Sequence, residues 1–242
     1  MNDLTPRQIQ ILKAIIEEYI GTAEPVGSEM LDKKYNLGVS PATIRNEMVR
    51  LAQTGYLKQP HTSAGRTPTP KAMKFYVDKL MKTQELSVAD EVSVKQKVWD
   101  YRSEVEKLLR EATRTLASET HTLSLATTDE GDMYTAGMGH ILDMPEFYDI
   151  DLTRHLLETL DEYEYWWNLV RRVDLENTLA VLMGDEMDRK YLSNCSGVFL
   201  RFETANHKGA IGVIGPSRLN YSRIIPIVRY IGGLINDFSK SW

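Results

Sequence analysis

Val39-Ser40-Pro41-Ala42-Thr43-Ile44-Arg45-Asn46-Glu47-Met48-Val49-Arg50-Leu51-Ala52-Gln53 opens on a strong helix signal and continues as an amphipathic repeat. Ser40-Pro41 pairs a hydroxyl N-cap with proline at the first helical position, where its missing N–H costs nothing. Ile44, Met48 and Leu51 fall at i, i+4 and i+7 and give one apolar face; Gly55 stops the helix. Beyond it, Tyr56-Leu57 reads as a short strand. Lys58-Gln59-Pro60-His61-Thr62-Ser63-Ala64-Gly65-Arg66-Thr67-Pro68-Thr69 is polar and turn-rich, and a new helical pattern starts at Pro70. A helix followed by such a loop predicts a β-hairpin wing beside it.

The residues before this segment complete the motif. Thr5-Pro6 repeats the cap-plus-proline signal, and Ile9, Leu12, Ile15, Ile16 and Tyr19 form a stripe ending near Gly21. A second helix is expected from about Gly27 to Tyr35, with Met30 and Leu31 inward and Lys33 and Lys34 outward; Asn36-Leu37-Gly38 breaks it. Three short helices with a tight turn between the second and third describe a helix-turn-helix, and the wing makes it a winged one.

The face opposite Ile44, Met48 and Leu51 carries the chemistry. Arg45 can bond guanine O6 and N7 in bidentate fashion, Asn46 can do the same to adenine N6 and N7, and Thr43 suits a base or a phosphate. Ser40, Thr43, Arg45, Asn46 and Arg50 are therefore candidate DNA contacts on the helix, whose N-terminus itself attracts phosphate. Lys58, His61, Thr62, Ser63, Gly65 and Arg66 are the candidates on the wing, where Gly65 allows close backbone approach and Arg66 suits a minor groove or a phosphate. The rival reading is a solvated helix face and an ordinary surface loop. The gathering of bases and small donors on one helix and one loop speaks against it, while Glu47 speaks slightly for it.

Charge sharpens the division. Net charge is -5 overall. Residues 1–83 hold 12 Lys and Arg against 8 acids, or +4, which leaves 17 bases and 26 acids, or -9, in the rest. A basic head on an acidic body is expected when one domain meets phosphate and the other does not.

Several strings resemble the heat-inducible transcription repressor HrcA family. They are Glu24-Pro25-Val26-Gly27-Ser28, Val39 through Met48, and Gln59-Pro60-His61-Thr62-Ser63-Ala64-Gly65-Arg66, followed by Met144-Pro145-Glu146-Phe147 and Gly212-Val213-Ile214-Gly215-Pro216-Ser217-Arg218-Leu219-Asn220-Tyr221-Ser222-Arg223. The resemblance covers the head and about 134 to 238. It implies a homodimeric repressor of chaperone genes on an inverted-repeat operator of double-stranded DNA, the CIRCE element, with the GroEL chaperonin as a controlling partner and a GAF-like effector half. The chain departs from the family pattern in length: the helix ending near Ser118 passes directly into Thr122–Thr128 and the turn Asp129-Glu130-Gly131-Asp132. The inserted dimerising domain is expected to be missing.

In the body, Pro70 to Met81 reads as a helix leaving the wing. A single long helix is expected from about Ala89 to Ser118, with Val94, Val98, Tyr101, Val105, Leu108, Ala112 and Leu116 at alternating threes and fours. That seam serves either a partner chain or the chain's own effector domain. Leu123, Leu125 and Thr127 alternate as in a strand. Asp151 to Val173 is expected as one helix striped by Leu152, Leu156, Leu160, Tyr163, Trp167 and Val170. Thr178–Met183 reads as a buried strand, Gly197–Thr204 and Gly209–Ile214 as a hairpin around Ala205–Lys208, and Arg223 to Phe238 as a closing helix. The expected class is α+β: a winged helix-turn-helix over 1–83, a linker and dimerisation helix over 84–120, and an effector domain over 121–242.

Other functions find little support. His61, His121, His140, His155 and His207 show no metal-ligand spacing, and neither metal nor cofactor is expected. Cys195 is the one cysteine, which excludes an intramolecular disulfide and a Cys-cluster zinc site, and with no nearby His it reads as a buried thiol rather than a nucleophile. Gly209 to Gly215 lacks GxGxxG, and its Ile and Val mark it as strand, so an enzyme is not expected. A regulator whose effector domain senses a metabolite is the alternative, with Tyr163, Tyr165, Trp166 and Trp167 as pocket lining, although aromatics at helical spacing are more often core. No apolar run reaches the ~18 residues of a membrane span, and no secretory leader is read at the start. A cytoplasmic protein is expected.

Overall fold

The computed structural model describes residues 4–62, 64–172, 179–204 and 207–239. The chain divides into two compact units, Met1–Met81 and Lys82–Trp242.

In the first unit, α1 (Pro6–Thr22) starts with a reciprocal capping box. The Gln8 N–H donates to the Thr5 hydroxyl at 3.3 Å, and the Thr5 N–H donates to the Gln8 side-chain oxygen at 2.9 Å. α2 (Ser28–Lys34) and α3 (Pro41–Gln53) follow, and Ser40 caps α3 by accepting from the Thr43 N–H. β1 (Leu57–Lys58) and β2 (Thr67–Pro68) pair antiparallel, Leu57 opposite Pro68 and Lys58 opposite Thr67. The Thr69 N–H bonds the Tyr56 carbonyl, its hydroxyl bonds the Gly55 carbonyl, and Thr69 also caps α4 (Pro70–Phe75). A π-helical turn, Tyr76–Leu80, ends the unit. Leu12, Ile15, Ile16, Leu31, Ile44, Leu51 and Met73 are fully enclosed, so the predicted apolar faces of α1 and α3 do make the core.

The second unit begins with a correction. The expected single helix over 89–118 is two, α5 (Val88–Trp99) and α6 (Val105–Thr120). Arg102 ends the first: its guanidinium lies 4.3 Å from the Trp99 ring centre and donates to the Trp99 carbonyl at 2.7 Å. The chain then folds back, and Lys97 of α5 meets Glu119 near the end of α6 at 2.7 Å. Val94, Val98, Leu108, Ala112 and Leu116 are buried within this chain, whereas Tyr101 sits exposed in the turn. The seam serves the chain's own core.

Five strands, β3 (Leu123–Thr128), β4 (Met133–Ala136), β5 (Leu179–Met183), β6 (Cys195–Glu203) and β7 (Lys208–Pro216), form one antiparallel sheet in the order β4-β3-β7-β6-β5. Between them lie α7 (Met138–Ile141), α8 (Ile150–Thr159) and α9 (Tyr163–Arg171), and α10 (Tyr221–Ser239) closes the chain. α6 and α10 cover one face of the sheet; α7 and α9 pack against β3 on the other, in a core with Leu123, Leu125, Phe199 and Trp166. With both faces covered, all six residues of β3 are buried and its alternation is lost. β4, α7 and the partly buried character of β5 were not expected from sequence. Part of the expected strand at 178 and of the turn at 205–208 lies outside the described residues.

The expected helix over 151–173 is also broken, at Leu160–Glu162. The interruption shifts the helical phase, so Trp166 rather than Trp167 is fully enclosed, its indole N–H donating to the Thr159 carbonyl at 2.8 Å. Tyr163, whose hydroxyl donates to the Thr128 carbonyl, and Tyr165, bonded to the Met187 carbonyl, are likewise engaged in packing. Cys195 is enclosed in the same core, and burial pushes its thiol up to about 12. Among the described residues no helix is long and apolar enough to cross a membrane.

Two blocks distant in sequence meet here. Arg218 grips Glu146 through two parallel hydrogen bonds of 2.6 and 3.0 Å, both side chains less than one fifth exposed. Such a fork is the strong form of an ion pair, and it fastens the Pro145–Tyr148 turn to the segment leading into α10.

Candidate nucleic-acid interface

The candidate residues all belong to the first unit. On α3, the buried residues Ile44, Met48 and Leu51 turn the opposite face outward. Arg45 and Asn46 are exposed there, and neither bonds another side chain among the described residues. Two polar side chains held out from a packed helix are free to meet a ligand. Ser40 and Thr43 lie at the helix start with their hydroxyls 3.0 Å apart, so part of their bonding capacity is spent on the cap.

Arg50 is exposed but paired: its guanidinium donates to Glu47 at 3.1 Å. Glu47, an acid on the same helix that counted slightly against a phosphate-binding face, is buried and also accepts from the Gln8 amide at 3.1 Å. It ties α1 to α3, and the outward face is left without its negative charge.

Loop 59–66 is held from both ends. The Gln59 amide donates to the carbonyls of Thr62 and Ala64 at 2.8 and 3.0 Å, bracing the tip. At the far end Val26 and Arg66 exchange both backbone hydrogen bonds, each 2.9 Å, in an isolated antiparallel bridge. A Cβ at Gly65 would lie 2.4 Å from the Val26 carbonyl oxygen, so only glycine permits this approach. The bracing leaves Lys58, His61 and Thr62 exposed. Ser63 lies outside the described residues.

Arg66 is half-buried, and its enclosed Nε has no hydrogen-bond partner among the described residues. It lines a concavity of about 810 Å³ walled by α2, α3 and loop 59–66, together with Lys33, Lys34, Arg45, Gln59 and Thr62; among the described residues Glu29 is the one acid in the wall. Lys34 is steadied by Glu18, which also accepts from the Tyr35 hydroxyl. The Lys34 ammonium holds the Glu18 carboxyl below its ordinary 4.5 against the opposing pull of burial, while burial and that carboxylate push the Tyr35 phenol up to about 12.

The geometry thus gathers Arg45, Thr62, Gly65 and Arg66 around one concavity and leaves Asn46 and Arg50 on the adjoining helix face. Sequence reasoning missed Ser28, Lys33, Lys34 and Gln59 as lining, since their proximity depends on the backbone bridge at Val26. It also missed Val49, 39% exposed on the same face of α3, although its i+3 and i+4 spacing from Asn46 and Arg45 signalled it.

The family model described as the HrcA protein C-terminal domain matches residues 70–225, nearly two thirds of the chain. The chain is 28% identical to a Pelotomaculum thermopropionicum protein named heat-inducible transcription repressor HrcA, over 94% of each chain. It is 27% identical to the protein of that name from Symbiobacterium thermophilum, covering 97% of this chain and 98% of that one. The first alignment runs for 329 positions, while 94% of 242 residues is about 227, so at about 100 positions the relative has a residue and this chain has none. A crystal structure of a protein described only as hypothetical shares the fold, with a TM-score of 0.78 at 20% identity over 99% of both chains. The family match spans well over half of the residues, and on that ground the chain belongs to the HrcA family.

Proposed function

We propose that this chain is a transcription repressor that binds duplex DNA through its first unit, a winged helix-turn-helix, and does so as a homodimer. The carrying observation is the outward face of α3, where Arg45 and Asn46 stand without side-chain partners among the described residues, beside a braced loop that ends in Arg66. α3 enters a major groove and reads base edges; loop 59–66 is the wing, whose Lys58, His61, Thr62, Ser63 and Arg66 meet phosphate or the minor groove and fix register. Ser40 and Thr43 serve the phosphate next to the helix start. The second unit is the GAF-like effector half, an assignment supported by its antiparallel sheet covered on both faces.

Two copies place two α3 helices on an inverted repeat of the CIRCE type, with half-sites about 34 Å apart or a multiple of it. Occupying a promoter blocks transcription by exclusion, without chemistry. The relatives' names connect repression to heat. Control by GroEL chaperonin in the cytoplasm gives the physical link: the active fraction of a marginally stable repressor follows chaperonin supply, which heat diverts to other clients. Selection of bound sequences from random duplexes with the full chain tests this. Recovery of one inverted repeat is expected, and a pool that stays random contradicts it.

A further inference from the structure

The solvent face of α3 presents Ala42, Arg45, Asn46 and Val49 on adjacent turns. Val49 follows Arg45 by four residues and Asn46 by three, so the three side chains are helix-surface neighbours. It is the exposed large hydrophobic residue of this helix, at 39%. Helix formation gives no reason for it, because a β-branched side chain is a weaker helix former than the straight-chain residues usual at exposed positions. Its rigidity has another consequence: held in one preferred rotamer by the helix, it loses little freedom when something packs on it.

We propose that Val49 reads the C5-methyl group of a thymine in the major groove. The inference rests on the DNA-binding function proposed above and names a base that its polar residues do not specify. Among the four base edges in that groove, only thymine offers an apolar group. Arg45 and Asn46 supply donors and acceptors matched to guanine and adenine, and Val49 adds a patch that neither can. Against cytosine the patch discriminates twice, since the methyl contact is gone and the cytosine amino group faces a side chain that accepts no hydrogen bond.

Deoxyuridine differs from thymidine by that methyl alone, which gives the test. In the half-site recovered by selection, each thymine is replaced singly by deoxyuridine, and the full chain and its Val49→Ser variant are titrated against every duplex. For the unmodified chain, one or two neighbouring thymines are expected to lose about fourfold in affinity on replacement, the worth of one buried methylene-sized group. Val49→Ser is expected to bind thymine and deoxyuridine equally there while keeping its preference at the other positions. Indifference of the unmodified chain to every replacement, a half-site without thymine, or an unchanged thymine-to-deoxyuridine ratio in Val49→Ser overturns the proposal while leaving sequence-specific binding in place. Selection that recovers no preferred sequence overturns both.

Discussion

Glu18 and Glu47 show how single buried acids organise the first unit, each exposed by less than a tenth and each joining two helices. Glu18 on α1 takes Lys34 and Tyr35 at the end of α2; Glu47 on α3 takes Gln8 on α1 and Arg50 of its own helix. Because Lys34 lowers the folded-state value of Glu18 below 4.5, the carboxylate contributes its full stability above the unfolded value. That contribution is lost as pH falls through the lower, folded value. Glu18→Gln is therefore expected to lower the thermal midpoint by several degrees at pH 7, with a gap that narrows towards pH 3; melting curves of both proteins across that range check it. At this scale the outward placement of Arg45 and Asn46 was legible, because an amphipathic repeat fixes which residues face out. The role of Glu47 was not. Its position on the helix wheel borders the outward face, and the approach of Gln8, 39 residues away, cannot be read from local spacing.

At the scale of elements, local signals served where structure is local. The hydroxyl-proline pairs at Thr5-Pro6 and Ser40-Pro41 start α1 and α3 at Pro6 and Pro41. Periodicity failed where a turn interrupts a continuing stripe: α5 and α6 read as one helix because the residues at 100–104 preserve the spacing while the chain reverses. Nothing in that spacing reveals the Trp99–Arg102 contact that stops α5, nor that α10 receives the seam. Loop 59–66 was legible as a turn-rich segment but not as a braced one, since the bridge from Arg66 to Val26 spans 40 residues. Gly65→Ala is expected to break that bridge, because the added carbon meets backbone rather than a flexible side chain. Accommodating it costs roughly 1–3 kcal/mol. The Arg66 amide then loses protection in hydrogen exchange, and DNA affinity falls for all sequences alike while base preference stays.

At the scale of the molecule, the charge division between residues 1–83 and the remainder runs close to the division between the compact units. Under the proposed function, the +4 head suits a polyanion. The chain keeps both parts while lacking about 100 alignment positions present in its Pelotomaculum relative, and its second unit still closes a sheet covered on both faces. The most direct test of base reading by α3 is a titration of the full chain against its selected duplex and a scrambled one at two salt concentrations, repeated with Arg45→Ala, Asn46→Ala and Arg66→Ala. The account predicts that Arg45→Ala and Asn46→Ala each lose about 1–3 kcal/mol of discrimination at particular base pairs. Arg66→Ala should weaken both duplexes together and lower the salt slope by about one. Equal affinity of the unmodified chain for the two duplexes, or variants of Arg45 and Asn46 that discriminate as well as the unmodified chain, would contradict it.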